Sequence, residues 1–288
     1  MLKNISFLLV LFFNLSGEAQ SFHNMLFNSN ETPTCLKFNA DSTFIVGDAG
    51  STVTSNNEAV GITYAEDRQG NLLFVASYQG IFNKNNELIP GSDTIKLTMP
   101  LSYSVSEIVT CQNPSNENQY YIFYTTKEAS VNSIGHPLYY TLLDLSLRSN
   151  KGALLVTSHL IEGGDISDGL EIIPIPCSLN FWLLAHECSK GYKLYKINEI
   201  GIGDGKIIDA VTYSNTYRGE GELDFQNGKI CHAPYLDNFF YIADFDAVTG
   251  TISNGKKISL PFNTAYGIAF SPKGSKIYIT KRVISLLK

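Results

Sequence analysis

The sequence predicts an all-β protein, a β-propeller built from four-stranded antiparallel blades. Three observations indicate this fold: a hairpin pattern that recurs along the chain, a composition rich in aromatic and β-branched residues, and little helical periodicity. The 288 residues include 16 Tyr, 17 Phe, 23 Gly and 10 Pro, which suits many short strands joined by tight turns.

The clearest hairpin is YGIAFSPKGSKIYIT at residues 266–280, where two β-runs flank a Ser-Pro-Lys-Gly turn. Proline fixes φ for the turn and glycine tolerates positive φ, so the two runs are expected to pair antiparallel. Equivalent hairpins begin at residues 61, 106, 170 and 221, and a weaker version spans residues 35–46. Spacings of 45, 64, 51 and 45 residues between these starts are typical of propeller blades, which must stack on neighbours to bury their faces.

A second pair of strand-like runs follows each hairpin, at residues 78–89, 138–156, 192–209 and 238–259. Each unit therefore holds four strands, as a propeller blade does. A β-sandwich or a β-solenoid is the alternative, but sandwiches seldom repeat one four-strand pattern so often, and solenoid rungs are shorter. The longest unit carries an insertion around residues 127–137, which is expected in a surface loop. We expect about five to six blades of a truncated six- to eight-bladed propeller, incomplete at its C-terminus.

The first residues have the pattern of a secretory signal peptide. Lys3 gives a positive charge, residues 5–15 are apolar apart from Asn14, and Gly17 and Ala19 supply the small residues of a cleavage site. About eleven residues are too few to span a bilayer, which needs about 20; a buried N-terminal strand or an uncleaved anchor is the alternative. We expect a signal peptide at 1–19, a propeller domain at 20–288, no membrane span after signal removal, and export to the extracellular space or the outer cell surface.

Charge and cysteine content bear on partners and cofactors. A net charge of −6 without a basic stripe makes nucleic acid an unexpected partner. The five cysteines show no CxxC spacing, and most lie in or beside apolar runs, which favours small buried hydrophobes over a disulfide framework. No cofactor is expected.

Three polar residues are weak candidates for a binding site: His186, Glu187 and His232. Each lies at or just past the second strand of its unit, and strand ends at one face of a propeller converge on the central channel. Two His and a Glu could ligate a metal, but such a site needs three or four converging ligands, and the HExxH spacing is missing. Strand-end polar residues that bond to the neighbouring blade are the alternative. We assign no catalytic residue and no metal ligand.

Three further segments contain residues that suggest chemistry. Residues 244–250 (DFDAVTG) lack the spacing of a calcium loop, and GIGDGK at 201–206 lacks the helix of a phosphate loop, so both are interpreted as hairpin turns. Residues 165–168, with Glu162 and Glu171, form an acidic cluster. Paired carboxylates could support glycoside hydrolysis if they were held at the right separation, although loop carboxylates are usually solvated.

Several stretches in a fixed order carry a resemblance to a known family. They are GNLLF at 70–74, IFNKN at 81–85, NQYYIF at 118–123, LDLSL at 143–147, FWLLAHE at 181–187, FDAVTG at 245–250, ISN at 252–254, and residues 266–278. Over most of residues 60–280 the chain resembles the N-terminal propeller region, with WD40-like or YVTN-like repeats, of secreted proteins from Bacteroidetes-type bacteria. Those proteins are associated with gliding motility or type IX secretion sorting domains. The resemblance implies a surface or secreted binding or adhesion role without an assigned catalytic mechanism.

These observations together predict a secreted or cell-surface β-propeller that is not an enzyme and binds a protein or glycan ligand at one propeller face. One alternative is a propeller hydrolase acting on glycans, which would need two carboxylates converging near the channel mouth. The other is a structural spacer of a larger adhesin.

Overall fold

A computed structural model describes residues 24–27, 34–38, 44–48, 62–77, 80–95, 108–126, 136–188, 190–209, 221–234, 237–262, 265–271 and 273–281. Most of these residues form antiparallel strands, which confirms the all-β prediction. The predicted signal peptide, most of the 127–137 insertion and the final residues 282–288 lie outside the described residues. In the described part of the chain, no helix has the length and apolar character needed to cross a membrane.

The strands follow one another in chain order through five sheets. The first two sheets contain β1 (Asn24–Phe27), β2 (Thr34–Phe38) and β3 (Phe44–Asp48), then β4 (Ile62–Glu66), β5 (Leu72–Ser77) and β6 (Gly80–Asn83). The third contains β7 (Ile108–Asn113), β8 (Asn116–Thr125), β9 (His136–Asp144), β10 (Ala153–Pro174), β11 (Phe181–Glu187), β12 (Gly191–Asn198), β13 (Gly201–Ile202) and β14 (Lys206–Asp209). The last two contain β15 (Gly221–Gln226), β16 (Lys229–Pro234), β17 (Phe239–Asp246) and β18 (Thr251–Ser259), then β19 (Ala265–Phe270) and β20 (Ile277–Lys281).

The sheet of β15, β16, β17 and β18 is a complete four-stranded unit in which each strand pairs with the next. Its tightest turns form where the sequence predicts them. Asp246 accepts hydrogen bonds from the N–H groups of Val248 (2.9 Å) and Thr249 (3.4 Å), and Gly250 has φ of 69°, so residues 247–250 reverse the chain between β17 and β18. The hairpin interpretation of this acidic segment is confirmed.

The eight-stranded sheet consists of two such units that share the long strand β10. The first part of β10 pairs with β9, from Ala153 to Ile166, and the second part pairs with β11, from Ile166 to Pro174. Ile166 is the crossover, since it lies opposite both His136 and Glu187. A single strand therefore closes one unit and opens the next, as the predicted repeat boundary near residue 170 requires.

The predicted hairpins that begin near 61, 106, 170, 221 and 266 are all present, as β4–β5, β7–β8, β10–β11, β15–β16 and β19–β20. The outer pair predicted at 78–89 is only partly formed. After β6 the chain makes one isolated bridge, between Phe82 and Leu88, and then a 3-10 turn at Ser92–Thr94. The polar run from Asn83 to Glu87 bonds to itself there, with Asn83 Oδ1 accepting from the N–H groups of Asn85 and Glu87.

The apolar core lies between successive units because side chains alternate across each strand. On β8, Tyr120, Ile122 and Tyr124 pack with β4–β6, whereas Tyr121 and Phe123 pack with β10–β12. Two further clusters follow in the same way: Ile173, Tyr192 and Leu223 belong to one, and Cys231, Ile268 and Phe270 to the other.

We call the first strand of each unit its inner strand: β4, β7, the second part of β10, β15 and β19. Each packs beside the next along this series. The described strands form no closed ring, so the number of units in a full circle stays a prediction. No disulfide joins the described cysteines Cys111, Cys177, Cys188 and Cys231.

Candidate functional site

Two of the three predicted site residues, His186 near the end of β11 and His232 in β16, lie side by side. The ring centroids of this histidine pair are 4.9 Å apart at an interplanar angle of 63°. The hydroxyl of Tyr192 is 3.1 Å from Nδ1 of His232, and Tyr192 lies opposite His186 in the ladder between β11 and β12. All three side chains are at most 2% exposed, so the pair belongs to the interface between units.

Gly169 on β10 allows the histidine pair to approach the inner strands. A Cβ at this position would lie 3.2 Å from Nε2 of His232 and 3.4 Å from Cβ of Leu223. Burial, reinforced by the neighbouring His186, holds the pKa of His232 well below its usual value of 6.5. His232 is therefore neutral at physiological pH, which suits an interior hydrogen-bonding role.

Glu187, the third predicted residue, is buried and bonds to lysines. Its Oε1 lies 2.5 Å from Nζ of Lys190, and its Oε2 lies 3.6 Å from Nζ of Lys193. Lys193 also forms an ion pair with Glu162. Within the described ranges, no three His, Cys, Asp or Glu side chains are arranged to hold a metal ion. The structure therefore brings the two histidines together and directs Glu187 into an ion-pair network.

The acidic segment 165–168 lies within β10, although sequence reasoning treated its carboxylates as solvated loop residues. Asp168 is 1% exposed, because it faces the interface between units. Its Oδ1 is 3.6 Å from Nε2 of His136 and accepts a hydrogen bond from Thr125 Oγ1 at 3.3 Å. The solvated-loop interpretation is therefore wrong for Asp168, since one extended strand passes through this polar sequence and buries it.

Three other carboxyl groups occur together on two adjacent inner strands: Glu171 on β10, and Glu222 and Asp224 on β15. We call them the carboxyl cluster. Glu222 and Asp224 are two residues apart, so their side chains leave the same face of β15. Asp224 is 5% exposed, whereas Glu171 and Glu222 are half-buried and reach the solvent in part.

Backbone N–H groups hold two members of the cluster. Asp224 Oδ2 accepts from the N–H of Phe270 at 2.6 Å, and Glu222 Oε2 accepts from the N–H of Ile268 at 3.3 Å. Both donors lie on β19, the next inner strand. Glu171 Oε1 accepts from the N–H of Ile172 at 3.1 Å. No lysine or arginine is bonded to any of the three in the described part of the chain.

Burial without a cationic partner raises the pKa of every group in the cluster. The pKa of Glu222 rises to about 8, from burial and then from the charge of Asp224. Burial raises the pKa of Asp224 to about 7, against the opposing effect of the N–H donors of Phe270 and Phe225. Burial and the charge of Asp224 raise the pKa of Glu171 well above 4.5. Carboxyl groups that exchange protons near neutral pH are the groups that general acid–base catalysis uses.

Sequence reasoning considered Glu171 only as part of the acidic segment and missed Glu222 and Asp224. A signal was nevertheless present in the repeat. In LEIIP (170–174) and GELDF (221–225), Glu171 and Glu222 are each the second residue of their unit. Aligning the units by their starts places these two glutamates at equivalent positions of neighbouring inner strands, whereas a search for contiguous motifs does not connect residues 51 positions apart.

No family profile and no curated protein matches this sequence. Solved structures with a similar backbone include regucalcin from Agrobacterium tumefaciens, named as a calcium-binding protein: 11% identity over 93% of this chain and 81% of that chain, with a TM-score of 0.46. A luciferin-regenerating enzyme is 9% identical over 91% of this chain and 81% of that chain, with a TM-score of 0.46. A candidate 6-phosphogluconolactonase from Bacteroides fragilis is 12% identical over 83% of this chain and 68% of that chain, with a TM-score of 0.43.

The prediction that this protein is not an enzyme is corrected at this point. Two of the three similar structures bear the names of enzymes. Identities of 9–12% give this chain no reaction and no substrate by similarity. The prediction relied on the absence of a local catalytic motif, and a search for local motifs does not detect side chains that come from different units.

Proposed function

We propose that this protein is a hydrolase that cleaves glycosidic bonds by acid–base catalysis at the carboxyl cluster. The observation that carries the proposal is the position of Asp224 on neighbouring inner strands with Glu171 and Glu222, close enough for its charge to act on both, without a lysine or arginine bonded to the three in the described residues. Glycoside hydrolysis uses a pair of carboxyl groups in opposite protonation states. A buried group of carboxyls supplies such a pair, because ionisation of one member disfavours ionisation of the next.

The surroundings of each group support a division of roles. Asp224 accepts the N–H of Phe270 at 2.6 Å, and this donor stabilises the ionised form. Asp224 therefore ionises first and is the base or nucleophile. Glu222, with a pKa of about 8, keeps its proton at neutral pH and is suited to be the acid. Glu171 is a second proton donor, since burial and the charge of Asp224 also keep it protonated.

The proposed reaction balances with water alone. The carboxylic acid gives its proton to the glycosidic oxygen as the carbon–oxygen bond breaks, and the leaving group departs as an alcohol. The carboxylate removes a proton from the attacking water, or first attacks the sugar carbon and is released by water in a second step. In the first route a proton then returns from the base to the acid. In the second route the deprotonated acid regains its proton from the water that releases the sugar.

Release of the chromophore from a panel of p-nitrophenyl glycosides, with reducing-end assays on polysaccharides, tests this proposal. We expect D224N and E222Q each to lower kcat by about 10²- to 10⁴-fold, the usual contribution of a general acid or base. D204N, which changes an exposed acid in the short segment between β13 and β14, is the matched control and should keep full activity. Absence of hydrolysis by the folded protein over the whole panel, or full activity of D224N, would contradict the proposal.

We also propose that the units close into a propeller and that the protein acts outside the cytoplasm. The support for closure is the side-by-side series of inner strands, and the support for export is the charge and apolar pattern of residues 1–19. Mass spectrometry of protein recovered from the culture medium tests export. A mature N-terminus near Gln20 is the expected result, and an intact N-terminus would contradict the signal peptide.

A further inference from the structure

We infer that Gly267 is a positioning residue of the carboxyl cluster: the bulge in which it lies and the space beside its Cα hold the carboxyl group of Glu222 against the backbone N–H of Ile268. The catalytic meaning of this inference rests on the proposed function. The geometric part of the inference does not depend on the proposed function, because it concerns only the contact between β15 and β19.

The ladder between β19 and β20 is irregular at Gly267. Ala265 lies opposite Lys281 and Ile268 lies opposite Ile279, so β19 contains one more residue than β20 across this interval. The side chain of Thr280 replaces the missing ladder bonds: its Oγ1 accepts from the N–H of Gly267 at 2.9 Å and donates to the carbonyl of Gly267 at 3.4 Å. A bulge of this kind changes the direction of the groups that follow it.

The groups that follow the bulge point towards β15. The N–H of Ile268 donates to Glu222 Oε2 at 3.3 Å, and the N–H of Phe270 donates to Asp224 Oδ2 at 2.6 Å. Donors and acceptors are both spaced two residues apart, so the edge of β19 opposite β20 is satisfied by carboxyl oxygens. This edge therefore fixes where the two carboxyl groups lie.

Space explains why glycine occupies position 267. A Cβ there would lie 3.0 Å from Glu222 Oε2 and 2.7 Å from Thr280 Oγ1, both too close for an ordinary contact. The φ of Gly267 is outside the left-handed region, so the backbone conformation alone does not require glycine. A methyl group would have to displace the carboxyl group of Glu222, the hydroxyl of Thr280, or both.

The repeat supports the same assignment. Gly267 is the second residue of the unit that starts at 266, the position that Glu171 and Glu222 occupy in the two preceding units. The unit that starts at 266 has no side chain at this position, and this leaves room for Glu222 of the preceding unit. On the side that faces β19, the carboxyl cluster therefore meets no side chain at position 267.

Other titratable groups also surround Glu222, and the test must separate them. On β15 and the strands packed beside it, these groups are Asp224 on β15, Glu171 on β10, and Cys231 and His232 on β16. Two backbone amides distinguish the two carboxyl groups of β15, because the N–H of Ile268 bonds to Glu222 and the N–H of Phe270 bonds to Asp224.

The experiment follows the amide resonances of Ile268 and Phe270 by NMR between pH 4 and pH 10 in the full chain. In the wild type we expect a pH-dependent step at Ile268 that is absent in E222Q. In G267A we expect the Ile268 step to fall to less than half its size, while the Phe270 step is retained. A full Ile268 step in G267A would overturn the inference, as would equal loss at Ile268 and Phe270, which would indicate general disruption of β19.

A second comparison applies if G267A does not fold. The new methyl group meets both Glu222 Oε2 and Thr280 Oγ1, so the triple variant G267A/E222A/T280A is compared with G267A/T280A, which removes the hydroxyl alone. We expect a cooperative unfolding transition in the triple variant and not in G267A/T280A. Folding of G267A/T280A, or failure of the triple variant to fold, would overturn the inference. With any p-nitrophenyl glycoside that the wild type cleaves, G267A should also move the alkaline limb of the kcat–pH profile. If no glycoside is cleaved, the proposed function fails, while the amide titration still decides the role of Gly267.

Discussion

The backbone N–H of Phe270 donates to Oδ2 of Asp224 over 2.6 Å, and this bond joins the inner strands of two successive units. A carboxylate here replaces the carbonyl acceptor that a paired strand would provide. The same bond stabilises the ionised form of Asp224, while burial opposes ionisation and prevails, since the pKa rises to about 7. Packing between the units and the chemistry of the proposed site therefore depend on the same group.

The first prediction concerns the pH dependence of stability. Because the folded pKa of Asp224 lies above its unfolded value near 3.8, its contribution to stability is fully present below pH 3.8 and is lost as the pH rises towards 7. D224N removes this loss, so the free energy of unfolding of the wild type should fall relative to that of D224N by about 2–4 kcal/mol between pH 4 and pH 7. Urea denaturation across this pH range measures the difference.

D204N is the control for this prediction, because Asp204 is an exposed acid outside the strands. Its free energy of unfolding should run parallel to that of the wild type across the range. Parallel curves for D224N and the wild type would contradict the raised pKa of Asp224.

The repeat in the sequence predicted most of the fold, because each unit carries its own turn and strand signals. The turn at 247–250 and the hairpins that begin near 170 and 221 form where these signals lie. The outer pair at 78–89 also forms, but as a short hairpin with one bridge, between Phe82 and Leu88, and with Asn83 bonded to Glu87 across its turn. Polar side chains such as that of Asn83 stabilise a turn, and sequence pattern alone does not give the length of the strands on either side of it.

The site was less accessible to sequence reasoning, because it depends on which units are neighbours and on which face of a strand is buried. His186 and His232 were recognised as strand-end residues, and their contact follows from adjacent units. Glu222 and Asp224 lack any local motif, and their raised pKa values come mainly from burial in the folded protein. Tertiary burial, which sets these values, is absent from the linear pattern.

The second prediction concerns acid stability and His232. The folded pKa of His232 lies well below 6.5, so the stability associated with its neutral form is present above pH 6.5 and is lost as the pH falls below that value. Relative to H232Q, the wild type should lose about 1.4 kcal/mol of unfolding free energy for each pH unit between 6.5 and the folded pKa. Thermal and urea denaturation at pH 5, 6 and 7 measure this, with H159Q, at an exposed histidine, as the control. An acid dependence of H232Q equal to that of the wild type would contradict the prediction.

The third prediction concerns the hydroxyl of Tyr192. Y192F removes the 3.1 Å contact with Nδ1 of His232 but keeps the ring, which stacks on Tyr241 with centroids 5.4 Å apart. We expect the free energy of unfolding to fall by about 0.5–1.5 kcal/mol, the usual net value of a buried hydrogen bond. Urea denaturation of Y192F should show this loss, whereas Y278F, at a half-exposed tyrosine of β20, should be close to the wild type. Equal stability of Y192F and the wild type would show that the contact contributes nothing.

The fourth prediction concerns the approach of β10 to the histidine pair, and β10 provides its own control. In G169A the new methyl carbon would lie 3.2 Å from Nε2 of His232, 3.3 Å from Oγ of Ser167 and 3.4 Å from Cβ of Leu223. Because these neighbours are buried, they cannot all move away at low cost, and we expect a loss of about 1–3 kcal/mol in the free energy of unfolding.

Gly163 lies on the same strand, has no atom within 4 Å of a Cβ built there, and has a φ outside the left-handed region. G163A should therefore leave stability unchanged or raise it by about 0.4–1 kcal/mol, because alanine restricts the unfolded chain more than glycine does. The two variants make the same chemical change in one strand, so the difference between their free energies of unfolding reports the close contacts that position 169 makes with His232, Ser167 and Leu223. If G169A proved as stable as G163A, His232 would have room to move, and the close packing of the histidine pair against β10 would not constrain the interface.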